Sequence, residues 1–182
     1  MKYEKRNAII TPQHALRKTY FQKLFPLNQR LIDLSANLEN HLFLKNPASQ
    51  NIYLYLTNYV RGFSENWFHT NLSSLKILDW GCGKGFITFL LQEMGADVTS
   101  CDVLEGNDSA FSQTTPILEA ESLEVICLEH PYLLPFENEY FDVVLSFGVI
   151  EHVPNDLESL REIRRILKSG GLFFCFFSRV AK

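Results

Sequence analysis

Residues 77–85 read Ile-Leu-Asp-Trp-Gly-Cys-Gly-Lys-Gly, and this run constrains the fold more than any other part of the chain. The apolar residues that lead up to Asp79 are typical of a buried parallel strand, and an apolar helical pattern begins at Phe86. Three glycines lie between them at alternate positions, Gly81, Gly83 and Gly85. Because glycine lets the backbone approach a ligand closely, the run predicts a strand, a bare turn and a helix N-terminus that cradle a small polar ligand.

The remainder of the chain from residue 75 alternates between strand and helix patterns, which predicts an α/β fold with a mostly parallel sheet. Strands are expected near 75–80, 97–101, 123–128, 140–146 and 171–177, and helices near 85–94, 114–121 and 156–168. In the last helix Asn155 and Glu158 are spaced like a capping box. Ser169-Gly170-Gly171 is expected to end that helix. Its apolar side is expected to include Leu157, Leu160 and Leu167.

Residues 1–70 are expected to form a helical N-terminal extension, or cap, on a core that spans residues 71–182. Apolar residues recur there at helical spacing, with a first helix starting at Thr11-Pro12 and a third around Ile52 to Phe63. Residues 1–30 hold seven cations and one anion. This charge indicates either a solvated helix face or a basic rim that attracts an anionic substrate or phospholipid head groups.

The bulk composition excludes several classes of protein. The chain has 182 residues, 46% of them hydrophobic, which suits one globular domain. A net charge of −4 gives no general attraction to nucleic acid, so no such partner is expected. No apolar run approaches the roughly 18 residues of a membrane span, and no signal sequence is visible, so we expect a cytoplasmic protein without a transmembrane segment. The four cysteines lack metal-ligand spacing, and reduced thiols with no metal site are expected: Cys82, Cys101, Cys127 and Cys175.

The glycine run differs from a dinucleotide fingerprint, because its third glycine comes one residue early and Phe86 occupies the place that glycine would need. Its form, D-x-G-x-G-x-G, resembles the first motif of the class I S-adenosylmethionine-dependent methyltransferases. In that family the loop holds the methionine and ribose parts of the cofactor. The resemblance implies S-adenosyl-L-methionine as cofactor and assigns to its binding Asp79, Gly81, Cys82, Gly83 and Gly85.

Further matches to this family follow in the same order along the chain. Asp102 ends the second predicted strand, and its acceptor-only carboxylate can receive both hydroxyls of a ribose. The segments 134–144 and 147–154 and the passage through Lys168-Ser169-Gly170-Gly171 resemble its small-molecule branch. Where the family usually has an aspartate for the adenine amino group, this chain has Glu129 and His130, and either could meet the adenine edge. The resemblance also places Val103 and Phe147 at the cofactor, and implies a Rossmann-like three-layer α/β/α sandwich.

Methyl transfer needs a nucleophile about 3 Å from the methyl carbon, with the cofactor fixed by the loop amides and by Asp102. An oxygen nucleophile also needs a base, and His152 is the first candidate because histidine accepts protons near neutral pH. A structural histidine near a helix start is the alternative. Glu151 could orient His152 or favour the helix N-terminus. Four residues of the N-terminal segment could either contact a substrate or serve only in packing: His14, Tyr20, Tyr53 and Tyr59.

The sequence therefore predicts methyl transfer from S-adenosyl-L-methionine to a small molecule, of the lipid- or quinone-precursor type. The first alternative is a non-catalytic binding module that keeps the cofactor site. The second, a nucleotide-cofactor oxidoreductase, is disfavoured by the early third glycine. Members of the family typically continue past strand 5 with two more strands, so the apolar strand 171–177 is expected to be an edge. We expect a homodimer through that edge, or tight covering of the strand by another segment.

Overall fold

Buried apolar strands in parallel pairing form the centre of the structure, a computed structural model that describes residues 47–103 and 123–177. The helices are α1 (Pro47–Phe68), α2 (Phe86–Glu93) and α3 (Asp156–Ile166), with a short 3-10 helix at Leu72–Ser74. The strands are β1 (Lys76–Trp80), β2 (Asp97–Val103), β3 (Ile126–Leu128), β4 (Phe141–Phe147) and β5 (Leu167–Phe176). The helices expected before residue 47 and near 114–121, and the basic residues 1–30, lie outside the described residues.

The five strands of the described residues form one sheet in the order β3-β2-β1-β4-β5, and every pair in it is parallel. β1 is central, and its Ile77 and Leu78 are fully buried. The chain leaves β1 on one side to form β2 and β3 and on the other to reach β4 and β5. Such a reversal of strand order opens a crevice at the carboxyl ends of the strands, where ligands of open α/β sheets bind.

Helices cover both faces of the sheet. On one face, Val60 of α1 and Leu91 of α2 pack in one cluster with Ile77. On the other face, Ile163 of α3 packs with Leu78. The predicted α/β/α sandwich with a parallel sheet is confirmed. Because α1 packs in the same cluster as the sheet, this part of the expected N-terminal extension belongs to the core.

Asp142, at the start of β4, bonds to both neighbouring strands near the N-terminal end of β4. Its carboxylate accepts the backbone N–H of Lys76 from β1 at 2.9 Å and the Nζ of Lys168 from β5 at 2.8 Å. One short side chain thus connects three neighbouring strands at the end of the sheet opposite the crevice.

The end of α3 differs from the sequence prediction. The helix ends at Ile166, and β5 begins directly at Leu167. Gly170 and Gly171 lie inside the strand, where the register with β4 shifts. Gly170 has a φ of +78°, and a Cβ on Gly171 would lie 2.9 Å from the Lys168 carbonyl oxygen. The expectation that Ser169-Gly170-Gly171 ends the helix is therefore wrong, since these glycines form an irregularity of the strand.

The packed face of α3 also differs from the expected one. Leu157 and Leu160 are 54% and 40% exposed, whereas Ile163 is 2% exposed and Ile166 is fully buried. The helix is only eleven residues long. Its buried residues are Ser159, Ile163 and Ile166 rather than Leu157 and Leu160. The predicted N-cap is confirmed, because the Asn155 Oδ1 accepts the Glu158 N–H at 3.2 Å.

Aromatic residues of α1 cover one face of the edge strand β5. Tyr59 and Phe63 each meet Phe174 edge-on with ring centroids 5.8 Å apart. Trp67 stacks on Phe63, and its Nε1 donates to the Gly170 carbonyl oxygen at 3.0 Å. These contacts cover a face of β5 and not its outer edge, so tight covering of the strand by another segment stays a prediction. The outer edge of β5 pairs with no strand among residues 47–103 and 123–177, and self-association through it stays a prediction.

The two faces of α3 give a paired test of this packing. Ile163→Ala should lower the free energy of unfolding by about 3 kcal/mol, because it empties a buried position in the core. Leu157→Ala should change it by less than about 0.5 kcal/mol, because the side chain is exposed. Urea unfolding measures both. Equal losses for the two variants would contradict the observed orientation of the helix.

Candidate functional site

A cavity of about 770 Å³ opens at the carboxyl ends of the central strands, where the strand order reverses. Its size is within the range of small-molecule and cofactor sites. The structure brings these predicted site residues together on its wall: Asp79, Gly81, Cys82, Gly83, Asp102, Val103, Glu129, His130, Phe147 and His152. Two predicted site residues, Gly85 and Glu151, are not on the wall.

The glycine loop adopts a backbone that explains its sequence. Gly81, Gly83 and Gly85 have φ values of +73°, +53° and +77°, in the left-handed region that favours glycine. A Cβ on Gly81 would also lie 2.7 Å from the Cγ1 of Val149, and closer still to its Cγ2. Gly85 forms the N-cap of α2, behind the wall. The bare turn expected from the sequence is thus required both by the dihedral angles and by the close approach of the loop after β4.

The main-chain amides of this loop bond to the protein itself. The N–H groups of Gly81 and Cys82 both donate to the Cys101 carbonyl oxygen, at 2.8 and 3.1 Å. The Gly85 N–H donates to the Cys82 carbonyl oxygen at 2.9 Å, and the Gly83 N–H to the Asp102 carboxylate at 2.8 Å. The sequence interpretation had these amides facing the ligand. In the structure the Gly81, Cys82 and Gly83 amides hold the loop against β2. The main chain of the loop forms part of the cavity wall.

Asp102, at the end of β2, is oriented by two backbone amides. Its Oδ2 accepts the Gly83 N–H at 2.8 Å and its Oδ1 accepts the Val103 N–H at 2.7 Å. A carboxylate oxygen can accept two hydrogen bonds, so each oxygen retains one acceptor site on the cavity wall. Burial raises the pKa of Asp102, and the two N–H donors oppose that shift.

Asp79, at the end of β1, is only 2% exposed and belongs to a buried polar network. Its Oδ2 accepts the Thr88 hydroxyl at 2.7 Å, and that hydroxyl lies 2.7 Å from the Ser100 hydroxyl. Burial raises the pKa of Asp79 to about 6; the Thr88 hydrogen bonds act against it and the charge of Asp102 adds to it. Asp79 thus connects β1, α2 and β2 directly beneath the cavity, and a cation bound there would lower its pKa.

The wall beyond β3 carries the residues that the sequence places at an adenine edge. Glu129 and His130 are both exposed and both line the cavity. The His130 ring lies parallel to the Tyr132 ring, with centroids 5.6 Å apart and planes 8° apart. Either side chain can reach a ligand from this wall, and the choice between them stays open.

Of the two predicted catalytic residues, His152 lines the cavity and Glu151 does not. His152 is exposed on the cavity wall, in a turn closed by its own N–H, which donates to the Val149 carbonyl oxygen at 2.8 Å. Glu151 is half-buried. Burial of the Cys175 thiol in β5 raises its pKa, and the charge of Glu151 adds to this increase. The structure therefore favours His152 over Glu151 as a group that meets a substrate.

Tyr53 of α1 lines the cavity, although the sequence offered it only as one of several substrate contacts. Its ring packs on Phe86 at 5.2 Å, and burial, with the nearby Asp79 charge, raises the pKa of its hydroxyl. Sequence reasoning did not assign to the site several other wall residues: Trp80, Lys84, Leu128, Pro131, Gly148 and Val153. Most of these directly neighbour assigned residues, and that proximity is the signal by which they could have been found.

The cysteines behave as apolar residues at the site. Burial raises the pKa of Cys82 and of Cys101 far above neutrality, so both remain thiols. Cys127 and Cys175 are exposed, because β3 and β5 are the edge strands of the described sheet. Across the described residues, no three side chains of the metal-binding types come together, and no helix is long and apolar enough to cross a bilayer.

The buried Asp79 predicts a pH-dependent stability. Its native pKa of about 6 lies above the ordinary 3.8, so between these values the native state binds more protons than the unfolded state. The contribution of Asp79 to stability is therefore full below pH 3.8 and is lost as the pH rises through about 6. Between pH 4 and pH 7 the stability of Asp79→Asn should therefore rise by about 2 kcal/mol relative to that of the wild type.

Chemical denaturation at several pH values measures this difference. The matched control is Asp97→Asn, an exposed aspartate at the start of β2, which should track the wild type across the range. If the free energies of unfolding of the wild type and Asp79→Asn differ by the same amount from pH 4 to pH 7, the raised pKa of Asp79 is contradicted.

Comparison with known proteins agrees with this geometry. The family described as "Methyltransferase domain" matches residues 78–175, more than half of the chain. A solved structure of the PH0226 protein from Pyrococcus horikoshii OT3 is 22% identical, with a TM-score of 0.54 over 78% of this chain and 63% of its own. The [4+2]-cyclase SpnF is 17% identical, with a TM-score of 0.52 over 84% and 57%. These structures show the fold alone.

Curated relatives are closer in sequence. The ubiquinone biosynthesis O-methyltransferase of Ruegeria sp. (strain TM1040) is 33% identical over 129 residues, which are 66% of this chain and 49% of the relative. The enzyme of the same name from Idiomarina loihiensis is 33% identical over 132 residues, or 71% and 53%. The chain thus spans about half the length of the curated relatives it matches.

The family resemblance predicted from the glycine run and the motifs after it is confirmed, and with it the cofactor class, S-adenosyl-L-methionine. The sheet order, the left-handed glycine loop and the family match over residues 78–175 agree with one another. The chain belongs to the class I methyltransferase-domain family.

Proposed function

We propose that this chain binds S-adenosyl-L-methionine in the cavity above β1 and β2 and takes part in methyl transfer to a hydroxyl of a small molecule. The observation that carries the proposal is the Asp102 carboxylate. Two backbone amides orient it on the cavity wall with one acceptor site left on each oxygen. A pair of neighbouring ribose hydroxyls has the complementary donors.

The residues around Asp102 fit the cofactor in shape and charge. At Gly81 the Val149 side chain fills the space of a Cβ, so the glycine loop packs closely against the segment after β4, and both line the cavity. Asp79 and Tyr53 lie on the glycine-loop side of the cavity, where a carboxylate and a phenol can bind an ammonium and a carboxylate group. Glu129 and His130 lie on the opposite side, where their polar atoms can meet an adenine edge. When bound, S-adenosyl-L-methionine supplies a methyl group activated by a sulfonium.

His152 is the residue that we propose as base. Its imidazole is exposed on the wall that follows β4, so it can accept the proton of an acceptor hydroxyl through a ring nitrogen. Phe147 and Val153 lie on the same wall and help to exclude water around that proton transfer. The curated relatives are named ubiquinone biosynthesis O-methyltransferase, and that name supports a quinone-precursor acceptor whose nucleophile is an oxygen.

Calorimetric titration with S-adenosyl-L-homocysteine tests the cofactor site. Asp102→Asn should weaken binding about tenfold or more, because it replaces one acceptor oxygen by a donor and loses charge-assisted hydrogen bonds. The matched control is Asp142→Asn, which changes an aspartate that also accepts a backbone N–H but lies at the opposite end of the sheet. It should lower stability and leave affinity unchanged. No binding to the wild-type chain, or equal affinity loss in both variants, would overturn the proposal.

Turnover with catechol-type acceptors tests the base. His152→Ala should lower kcat by roughly 10²-fold or more and change the affinity for the cofactor little. Glu151→Gln, one residue away and off the cavity wall, should have a much smaller effect on kcat. A wild-type chain that binds the cofactor but methylates no acceptor would support the binding-module alternative, and an unchanged kcat in His152→Ala would exclude this histidine as the base.

A further inference from the structure

We infer that Arg165 and Glu162 of α3 form a positioning pair that holds the adenine-side wall of the cavity in place, an inference that rests on the proposed function. The wall belongs to the 129–138 segment, which forms most of the connection between β3 and β4 and contributes Glu129, His130 and Pro131 to the cavity. Neither Arg165 nor Glu162 lines the cavity. Their effect on a ligand therefore passes through the segment that they hold.

Arg165 uses its guanidinium to fix the backbone of this segment. Its Nη2 donates to the Leu134 carbonyl oxygen at 2.9 Å, and its Nη1 donates to the Phe136 carbonyl oxygen at 2.7 Å. The same Nη1 also donates to the Asn138 side-chain oxygen at 2.9 Å. One rigid planar group thus bonds three residues within a five-residue stretch, which a lysine ammonium on a flexible stem cannot reproduce.

Glu162 holds the guanidinium from the other side and also bonds the segment itself. Its Oε1 and Oε2 accept the Arg165 Nε and Nη2 at 2.9 and 2.7 Å, the two-pronged geometry of strong arginine–carboxylate pairs. Its Oε2 also accepts the Leu134 N–H at 3.2 Å. Both backbone polar groups of Leu134 are therefore held by the pair.

The pair is linked to the cavity wall through a short chain of contacts. The Leu134 side chain is buried in the core, and the adjacent Leu133 N–H donates to the His130 carbonyl oxygen at 3.3 Å. His130 in turn stacks on Tyr132. On its other side the wall follows β3, which has three residues and pairs, among the described strands, with β2 alone. The Arg165–Glu162 pair is the densest polar anchor that this wall has.

The same helix carries a pair of the same type without these contacts. Arg161 and Glu158 are also three residues apart, with Nη1 and Oε1 2.6 Å apart, and both side chains are more exposed than those of Arg165 and Glu162. Exposed pairs of this kind contribute little to stability. Arg161 therefore serves as the matched control, since its replacement removes an ion pair from α3 without touching the 129–138 segment.

The experiment compares S-adenosyl-L-homocysteine with S-inosyl-L-homocysteine, which carries an oxygen in place of the adenine amino group. Affinities are measured by calorimetry well below the melting temperature of each variant. Arg165→Lys should weaken adenosyl binding about fivefold and reduce the preference for adenosyl over inosyl by a similar factor. Arg161→Lys should change neither quantity. A role in folding alone would lower the melting temperature of Arg165→Lys and leave the preference unchanged.

Each outcome has a separate meaning. If the wild-type chain binds neither compound, the proposed function fails. If the wild type binds both equally well, or if Arg165→Lys binds and discriminates like the wild type, the positioning role is overturned while the cofactor site stands. Should Arg165→Lys fail to fold, Glu162→Gln breaks the charge pair and keeps an acceptor for the Leu134 N–H, with Glu158→Gln as its control. The same loss of preference supports the inference, and its absence overturns it.

Discussion

The hydrogen bond from the Gly83 N–H to the Asp102 carboxylate is the contact on which the site depends. It joins the loop after β1 to the end of β2, and it leaves the carboxylate oriented with acceptor sites for a ligand. The left-handed glycines allow the loop to reach that carboxylate, and the two amides that donate to the Cys101 carbonyl oxygen keep it there. These contacts within the chain orient the carboxylate, and such preorganisation lowers the ordering cost of binding.

Much of the fold and the site could be predicted because the relevant signals are local. The strand before Asp79, the alternate glycines and the Asn155 cap each depend on a few neighbouring residues. The predicted positions that differ depend on tertiary packing instead. Leu157 and Ile163 fit a helical pattern equally well, and only the sheet beneath α3 selects Ile163 for the core. Gly170 and Gly171 are typical of a helix end, whereas in the structure they lie inside β5, where its register with β4 shifts.

The acceptors of the loop amides, and the different positions of Glu151 and His152 relative to the cavity, could not be predicted from the sequence either. The sequence does not indicate which acceptor a backbone amide will find. It therefore could not predict that the Cys101 carbonyl oxygen accepts two of the loop N–H groups. Glu151 and His152 are adjacent in the chain, but the turn that follows β4 directs them to different surroundings. Tyr53 lines the cavity although it lies more than twenty residues before the glycine run in the chain, a distance that no local pattern spans.

Helix α1 connects two regions that would otherwise be independent. Near its beginning it supplies Tyr53 to the cavity, and near its end it lays Phe63 and Trp67 on β5. Its 22 residues form a rod of about 33 Å. One continuous helix therefore contacts both the edge strand β5 and the cavity wall. The border strand and the ligand pocket thus share one structural element.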